Sequence, residues 1–328
     1  MTQSHIDEEY NRQMPALTKG ESIAWGCSKL LEFYLQNNPD HPFEFVIDSY
    51  YEGDTFNGLP ITRPSVLSAH KDKAIMIFAV SSRAVQAILK ELQQQGRILG
   101  MDVFLYSDFC WSGFSQKVET LTGSPASPAF HAIAKSYYLN SVLNVATTLS
   151  GSVLFLELLK RTSGSVAEVG IFNGSNVILG ARHIALGEER PFHAFDTFEG
   201  FPELSHHDPA NRAVGDMKGD ATFEEIRDNL SIFPFVRIHK GEVPRTFESL
   251  PEEKYGLVFY DCDLYQPALD TFEYFWKRIL PGGYLFIHDY FAEKGGYVGV
   301  RKAVNEFFPN EPKAEFWETT GCVIRKTQ

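Results

Sequence analysis

Along the chain, short unbroken apolar runs alternate with longer stretches in which apolar residues recur every three or four positions. That alternation is the mark of buried parallel strands separated by amphipathic helices. Two such series occur, each starting anew. In the first, residues 22–26 (SIAWG), 43–48 (FEFVID), 74–81 (AIMIFAVS) and 102–109 (DVFLYSDF) read as strands, residues 28–36 and 83–95 as helices, and YYEGDTFNGLP as a turn-rich connection. This βαβ order predicts a small parallel sheet.

The stretch from Trp111 to Ser127 is rich in Ser, Gly and Thr, which places a boundary there: an accessory domain over 1–118 and a second domain over 119–328. Residues 131–161 read mostly as helix, interrupted at Gly151. The second series follows, with strands at 165–172, 192–198, 236–243 and 255–263 and helices between them. Residues 267–280 carry apolar side chains at 268, 269, 272, 275, 276, 279 and 280, a helical period, and Pro281-Gly282-Gly283 reads as its stop before the strand YLFIHDY. The helix VGVRKAVNEFF and the strands KAEFWETT and CVIRKT close the chain, the last two spaced to pair as an antiparallel hairpin.

With 328 residues, 44% hydrophobic and 22% charged, the composition is that of an ordinary globular chain with room for two cores. The opening residues lack a basic segment before an apolar one, and no apolar run approaches the roughly 20 residues that span a bilayer. A cytoplasmic protein without membrane contact is expected. Cys27, Cys110, Cys262 and Cys322 show no CxxC spacing, so neither a zinc site nor a disulfide framework is indicated. The net charge of −12, without a Lys/Arg cluster, disfavours nucleic acid and favours a small-molecule partner.

Three constellations could carry chemistry. Glu168-Val-Gly170-Ile-Phe-Asn173-Gly174-Ser175 runs from a strand through a glycine turn into a helix, where a missing side chain lets a cofactor approach the backbone. Taken alone, such a turn is more often structural. Asp196, with Thr197 and Glu199 behind it, ends the next strand, where a carboxylate can accept both ribose hydroxyls of a nucleoside or simply cap a turn. Finally, Asp261 and Asp263 end one strand and His288 and Asp289 the strand after the following helix. Neighbouring parallel strands end on one edge, so these groups converge, and converging carboxylates repel unless protonated or bridged by a cation. Oxygen ligands favour Mg²⁺, whereas the imidazole tilts the choice toward another divalent cation. The polar insertion LSHHDPANRAVGDMKGDATFEE carries His206 and His207 and is placed to act as a lid, although solvation is the default for such a loop.

Six segments in order, EVGIFNGSN, AFDTFEGFP, YDCDLYQPALD, LPGGYLFIHDY, VRKAVNEFF and TTGCVIRK, make the chain from about residue 165 resemble the macrocin O-methyltransferase (TylF-like) family. The resemblance implies an α/β class I methyltransferase sheet, Rossmann-like and mostly parallel with the last strand antiparallel, preceded here by a smaller Rossmann-like α/β domain. It implies an S-adenosyl-L-methionine-dependent, metal-dependent O-methyltransferase acting on a hydroxylated small molecule, sugar-containing in this family. It would place Glu168, Gly170 and Asn173 beside the methionine moiety, Asp196 at the ribose, and Asp261 and Asp289 on Mg²⁺ or another divalent cation; Gly174 and Thr197 are further cofactor-binding candidates, and the position of His288 makes it a candidate metal ligand or a hydrogen-bonded neighbour of the site. The family more commonly carries a second aspartate where this chain has His288. Asp263, His206 and His207 are the candidates for a general base. The first module retains only Gly26 of a dinucleotide motif, which leaves docking, dimerisation into a homo-oligomer or weak nucleotide-sugar binding as its roles. The rival readings are an NAD(P)-dependent oxidoreductase, disfavoured by the missing GxGxxG, and a non-catalytic binding protein, which would not need the acidic crevice.

Overall fold

The structure, a computed structural model, describes residues 22–145, 147–291 and 298–328. It divides into two compact units, Met1–Ser115 and Gln116–Gln328. The first is built on strands β1 (Ser22–Trp25), β2 (Phe43–Ile47), β3 (Thr55–Phe56), β4 (Leu59–Thr62), β5 (Ile75–Ile77) and β6 (Val103–Leu105), in the order β3-β4-β2-β1-β5-β6. All neighbours are parallel except the β3–β4 hairpin. That hairpin lies in the segment read as turn-rich. It closes on Asn57-Gly58, whose φ values of 47° and 88° are those of a type I′ turn. Helices α1 (Lys29–Asn37) and α2 (Ser82–Gln94) start on serine caps: Leu31 N–H donates to Ser28 Oγ and Ala84 N–H to Ser81 Oγ.

Two readings are corrected at the end of this unit. The strand expected over 102–109 is short, because Tyr106–Phe109 turns into a helical segment, α3. Ser, Gly and Thr suggested a connection from Trp111 onward, yet Trp111–Thr122 is helix α4, and the two units divide inside it, after Ser115. Trp111, Phe114 and Val118 are buried, at helical spacing, and that apolar stripe outweighs the low propensity of its neighbours.

The second unit opens with α5 (Pro128–Asn140) and α6 (Leu149–Lys160). The helix expected over 131–161 is broken between them and not at Gly151, which lies in the first turn of α6 with its N–H donating to the cap hydroxyl of Thr148. A Cβ on Gly151 would collide with the Thr147 side chain, so the glycine serves a close approach. Seven strands follow: β7 (Ser165–Val169), β8 (Phe192–Asp196), β9 (Val236–Lys240), β10 (Tyr255–Tyr260), β11 (Ile279–Ile287), β12 (Lys313–Phe316) and β13 (Gly321–Arg325). Their order is β12-β13-β11-β10-β7-β8-β9, parallel throughout except at β13, which runs against both neighbours. This is the mostly parallel sheet with an antiparallel last strand that a class I methyltransferase requires.

Helices α7 (Ser175–Ile184), α8 (Phe223–Leu230), α9 (Tyr265–Trp276) and α10 (Val298–Phe307) lie between these strands in sequence. The central strand β10 is buried at every position, as its unbroken apolar run demands, and packs with Phe272 and Phe275 of α9 and Val300 and Val304 of α10. α9 ends at Trp276, earlier than its periodicity suggested. Ile279 and Leu280 already belong to β11, and Pro281-Gly282-Gly283 forms a bulge in that strand, where Tyr255 pairs with Ile279 but Leu257 with Tyr284. Among the described residues no helix is long and apolar enough to cross a membrane.

Candidate active site

β7, β10 and β11 stand side by side, so the chain leaving each of them emerges on one edge of the sheet. After β7 the backbone turns through Gly170 (φ 88°), Phe172 (φ 50°) and Gly174 (φ 74°) into α7. Left-handed conformation is easy for the two glycines and strained for Phe172. The strain is held by Asp196 at the end of β8: its Oδ2 accepts the N–H of both Ile171 and Phe172 at 2.9 Å, and its Oδ1 accepts that of Phe198 at 2.7 Å. Burial pushes the Asp196 carboxyl up and these donors oppose it. The first unit repeats the device, since Asp48 after β2 accepts the N–H of Cys27 in the turn after β1.

Asn173 is buried and tied on both sides: Nδ2 donates to the Asn144 carbonyl and Oδ1 accepts the Ala221 N–H. Its amide therefore fastens the long insertion to the glycine turn. Thr197 Oγ1 donates to the Gly200 carbonyl, shaping the next loop. Glu168, on the strand itself, is 2% exposed, and its Oε2 has no hydrogen-bond partner. Burial, then Asp261 and Asp196, hold its carboxyl well above the usual range.

The acidic cluster forms as its spacing implied. His288 Nδ1 stands 2.8 Å from Asp261 Oδ1 and 2.9 Å from Asp289 Oδ2, and its Nε2 is 2.9 Å from Thr320 Oγ1. One donor atom from each of Asp261, His288 and Asp289 lies within 4.8 Å of the others. Asp263 and Asp289 both adopt left-handed backbone, at φ 65° and 56°. Strain of this kind persists where the surroundings over-determine it, commonly at functional sites. Burial and the neighbouring Asp289 push the Asp263 carboxyl well up. Burial works against the charge on His288, but Asp261 and Asp289 outweigh it and hold the imidazole well above its ordinary value.

Turn and cluster open into one crevice of about 210 Å³. Its lining includes Gly170, Asp196, Thr197, Asp261, Asp263, His288 and Asp289. Gly200, Phe201 and Pro202, in the loop after β8, and Met217 of the long insertion form one wall. His206 and His207 are not part of the lining. Their rings pack together at 3.7 Å, with His207 against Tyr265, while Asp208 anchors this stretch by accepting the N–H of Tyr265. Phe172, Met217 and Glu242 line the crevice without having been singled out from the sequence, where nothing marks them. Thr320 was likewise passed over, although it precedes a glycine in the TTG segment.

With this geometry in view, residues 158–313 match the family model of macrocin-O-methyltransferase (TylF). The 8-demethyl-8-(2,3-dimethoxy-alpha-L-rhamnosyl)-tetracenomycin-C 4'-O-methyltransferase of Streptomyces olivaceus is 26% identical, the match covering 50% of this chain and 69% of the relative. The mycinamicin III 3''-O-methyltransferase of Micromonospora griseorubida is 27% identical over 44% of this chain and 60% of its own length. Among solved structures, the O-methyltransferase NovP superposes with a TM-score of 0.45 at 18% identity, covering 66% of this chain and 99% of NovP. For the calicheamicin methyltransferase CalS11 the TM-score is 0.47 at 18% identity, covering 65% and 91%. Over residues 158–313, outside the N-terminal unit, this chain is thus similar to the macrocin-O-methyltransferase family, and the relatives it matches are named O-methyltransferases.

Proposed function

We propose that the second unit transfers the methyl group of S-adenosylmethionine to a hydroxyl of a sugar-bearing small molecule, with a divalent cation in the acidic cluster. The convergence of the Gly170 turn and the Asp261, His288 and Asp289 donors on one crevice carries the reading. Gly170, lining the crevice without a side chain, would let a nucleoside come close to the backbone. Asp196 Oδ1, which takes a single backbone donor, keeps a lone pair for a ribose hydroxyl, with Thr197 beside it. Glu168, Asn173 and Gly174 frame the methionine side, where the orphaned Glu168 Oε2 suits an ammonium group.

The donor set fits a cation: two carboxylate oxygens flank one imidazole nitrogen, an arrangement that a proton on His288 Nδ1 satisfies and that a divalent cation displacing that proton would satisfy as well. Asp261, His288 and Asp289 would hold it, and when bound it would lower the pKa of an acceptor hydroxyl. Asp263, its proton affinity raised by burial, is the base that takes the hydroxyl proton. Phe172, Phe201 and Met217 line the crevice and would keep water from a bound cofactor and restrict the approach of an acceptor. The Streptomyces olivaceus relative is named for a rhamnosyl-bearing acceptor, and that supports the acceptor class. The N-terminal unit is assigned an accessory role. Mass spectrometry on glycosides and sugar nucleotides incubated with S-adenosylmethionine and Mg²⁺ or Mn²⁺ tests the proposal. One added methyl group on oxygen is expected. A methyl group found on nitrogen or carbon would overturn it.

A further inference from the structure

Thr320 is a β-branched residue at φ 57°, a conformation its side chain disfavours. The turn that holds it is pinned from several directions. Lys117 Nζ pairs with the buried Glu318 carboxylate at 3.1 Å, and Thr148 Oγ1 donates to the Glu318 carbonyl. On its other side Gly321 packs against β11, where a Cβ would meet the Phe286 ring at 3.1 Å. Thr320 therefore has little freedom to slide. Its side chain is 4% exposed, and its Oγ1 lies 2.9 Å from His288 Nε2. The far edge of the same ring faces Asp261 and Asp289.

We propose that Thr320 is the positioning residue of the cation site. Its hydroxyl accepts the Nε2–H of His288 and fixes the ring plane, so that a cation displacing the Nδ1 proton would find that nitrogen already aimed between the Asp261 and Asp289 carboxylates. A ligating imidazole needs its second nitrogen held in this way to fix both tautomer and ring plane. The strained backbone is what brings a hydroxyl to that nitrogen. This inference rests on the cation reading above.

The test titrates Mn²⁺ into the full chain by calorimetry, for wild type, Thr320→Val and Thr320→Ser, with S-adenosylhomocysteine affinity measured alongside. Thr320→Val keeps the β-branched shape and removes the hydroxyl, so Mn²⁺ affinity should fall about tenfold or more while S-adenosylhomocysteine affinity holds. Thr320→Ser should restore affinity to near the wild-type value. Unchanged Mn²⁺ affinity in Thr320→Val, or a Thr320→Ser variant as weak as a valine one, would overturn the role of the hydroxyl and leave the cation reading standing. Wild-type protein that takes up no Mn²⁺ would overturn both.

Discussion

The backbone of Asp261 occupies the space where a side chain on Gly170 would stand: a Cβ built on the glycine would lie 2.6 Å from the Asp261 carbonyl carbon. The end of β7 and the end of β10 are thus locked together at the point where cofactor turn and acidic cluster meet, and Asp261 N–H donates to the Val169 carbonyl at 2.8 Å. Gly170→Ala adds both this collision and a left-handed residue with a side chain. It should destabilise the unit by about 1–3 kcal/mol and weaken S-adenosylhomocysteine binding. Thermal unfolding of the variant at the wild-type temperature would contradict the packing described.

Asp196 tests the turn from the other side. Asp196→Ala leaves three backbone N–H groups without their acceptor, each worth about 1–3 kcal/mol when buried. The variant should lose stability and cofactor affinity together. Asp196→Asn keeps one acceptor oxygen and should lose less of both. Calorimetry and denaturant titration on the same samples check the order; equal losses in the two variants would contradict it.

These relationships were unequally legible in the sequence. The glycine turn and the strand-end carboxylates could be placed because a parallel sheet puts all its carboxyl ends on one edge, so position along the chain becomes position in space. Asp196 could be placed but not its three backbone donors, because side-chain hydrogen bonding to a turn leaves no periodicity behind. The break between α5 and α6 was misplaced to Gly151, since the glycine was read for its helix propensity, whereas in the fold it answers to a tertiary contact with Thr147. Pro281-Gly282-Gly283 looked like a helix stop because a bulge within a strand uses the same residues. His206 and His207 are attractive by residue type alone, and the loop carries His207 against Tyr265 and His206 against His207, outside the crevice lining.

His288 sets the expected cation. His288→Asp converts the donor set to carboxylates alone, which favours a hard, oxygen-liganded ion. Competition titrations should move the preference from Mn²⁺ toward Mg²⁺ by about tenfold or more. A preference identical to wild type would place the imidazole outside the coordination shell.

A second histidine cluster should add to the loss of stability in acid. His193 Nδ1 lies 3.0 Å from His239 Nε2, and His193 Nε2 lies 3.0 Å from Glu253 Oε2. Burial, then His193 and Arg237, lower His239 from 6.5 to about 4. Its folded pKa lies below the unfolded one, so the unfolded chain takes up the proton first and stability falls as pH drops from 6.5 toward about 4. Urea titrations at steps across that window should show wild type losing stability faster than His239→Gln. Parallel curves would remove His239 as the cause.

S-adenosylhomocysteine binding to the full-length chain, measured by isothermal calorimetry with and without Mn²⁺, tests the proposed cofactor site most directly. One site per chain is predicted, with affinity weakened at least tenfold by Gly170→Ala and by Asp196→Ala, and little changed by Thr320→Val. No heat of binding to the wild-type chain, or a site indifferent to Gly170 and Asp196, would contradict it.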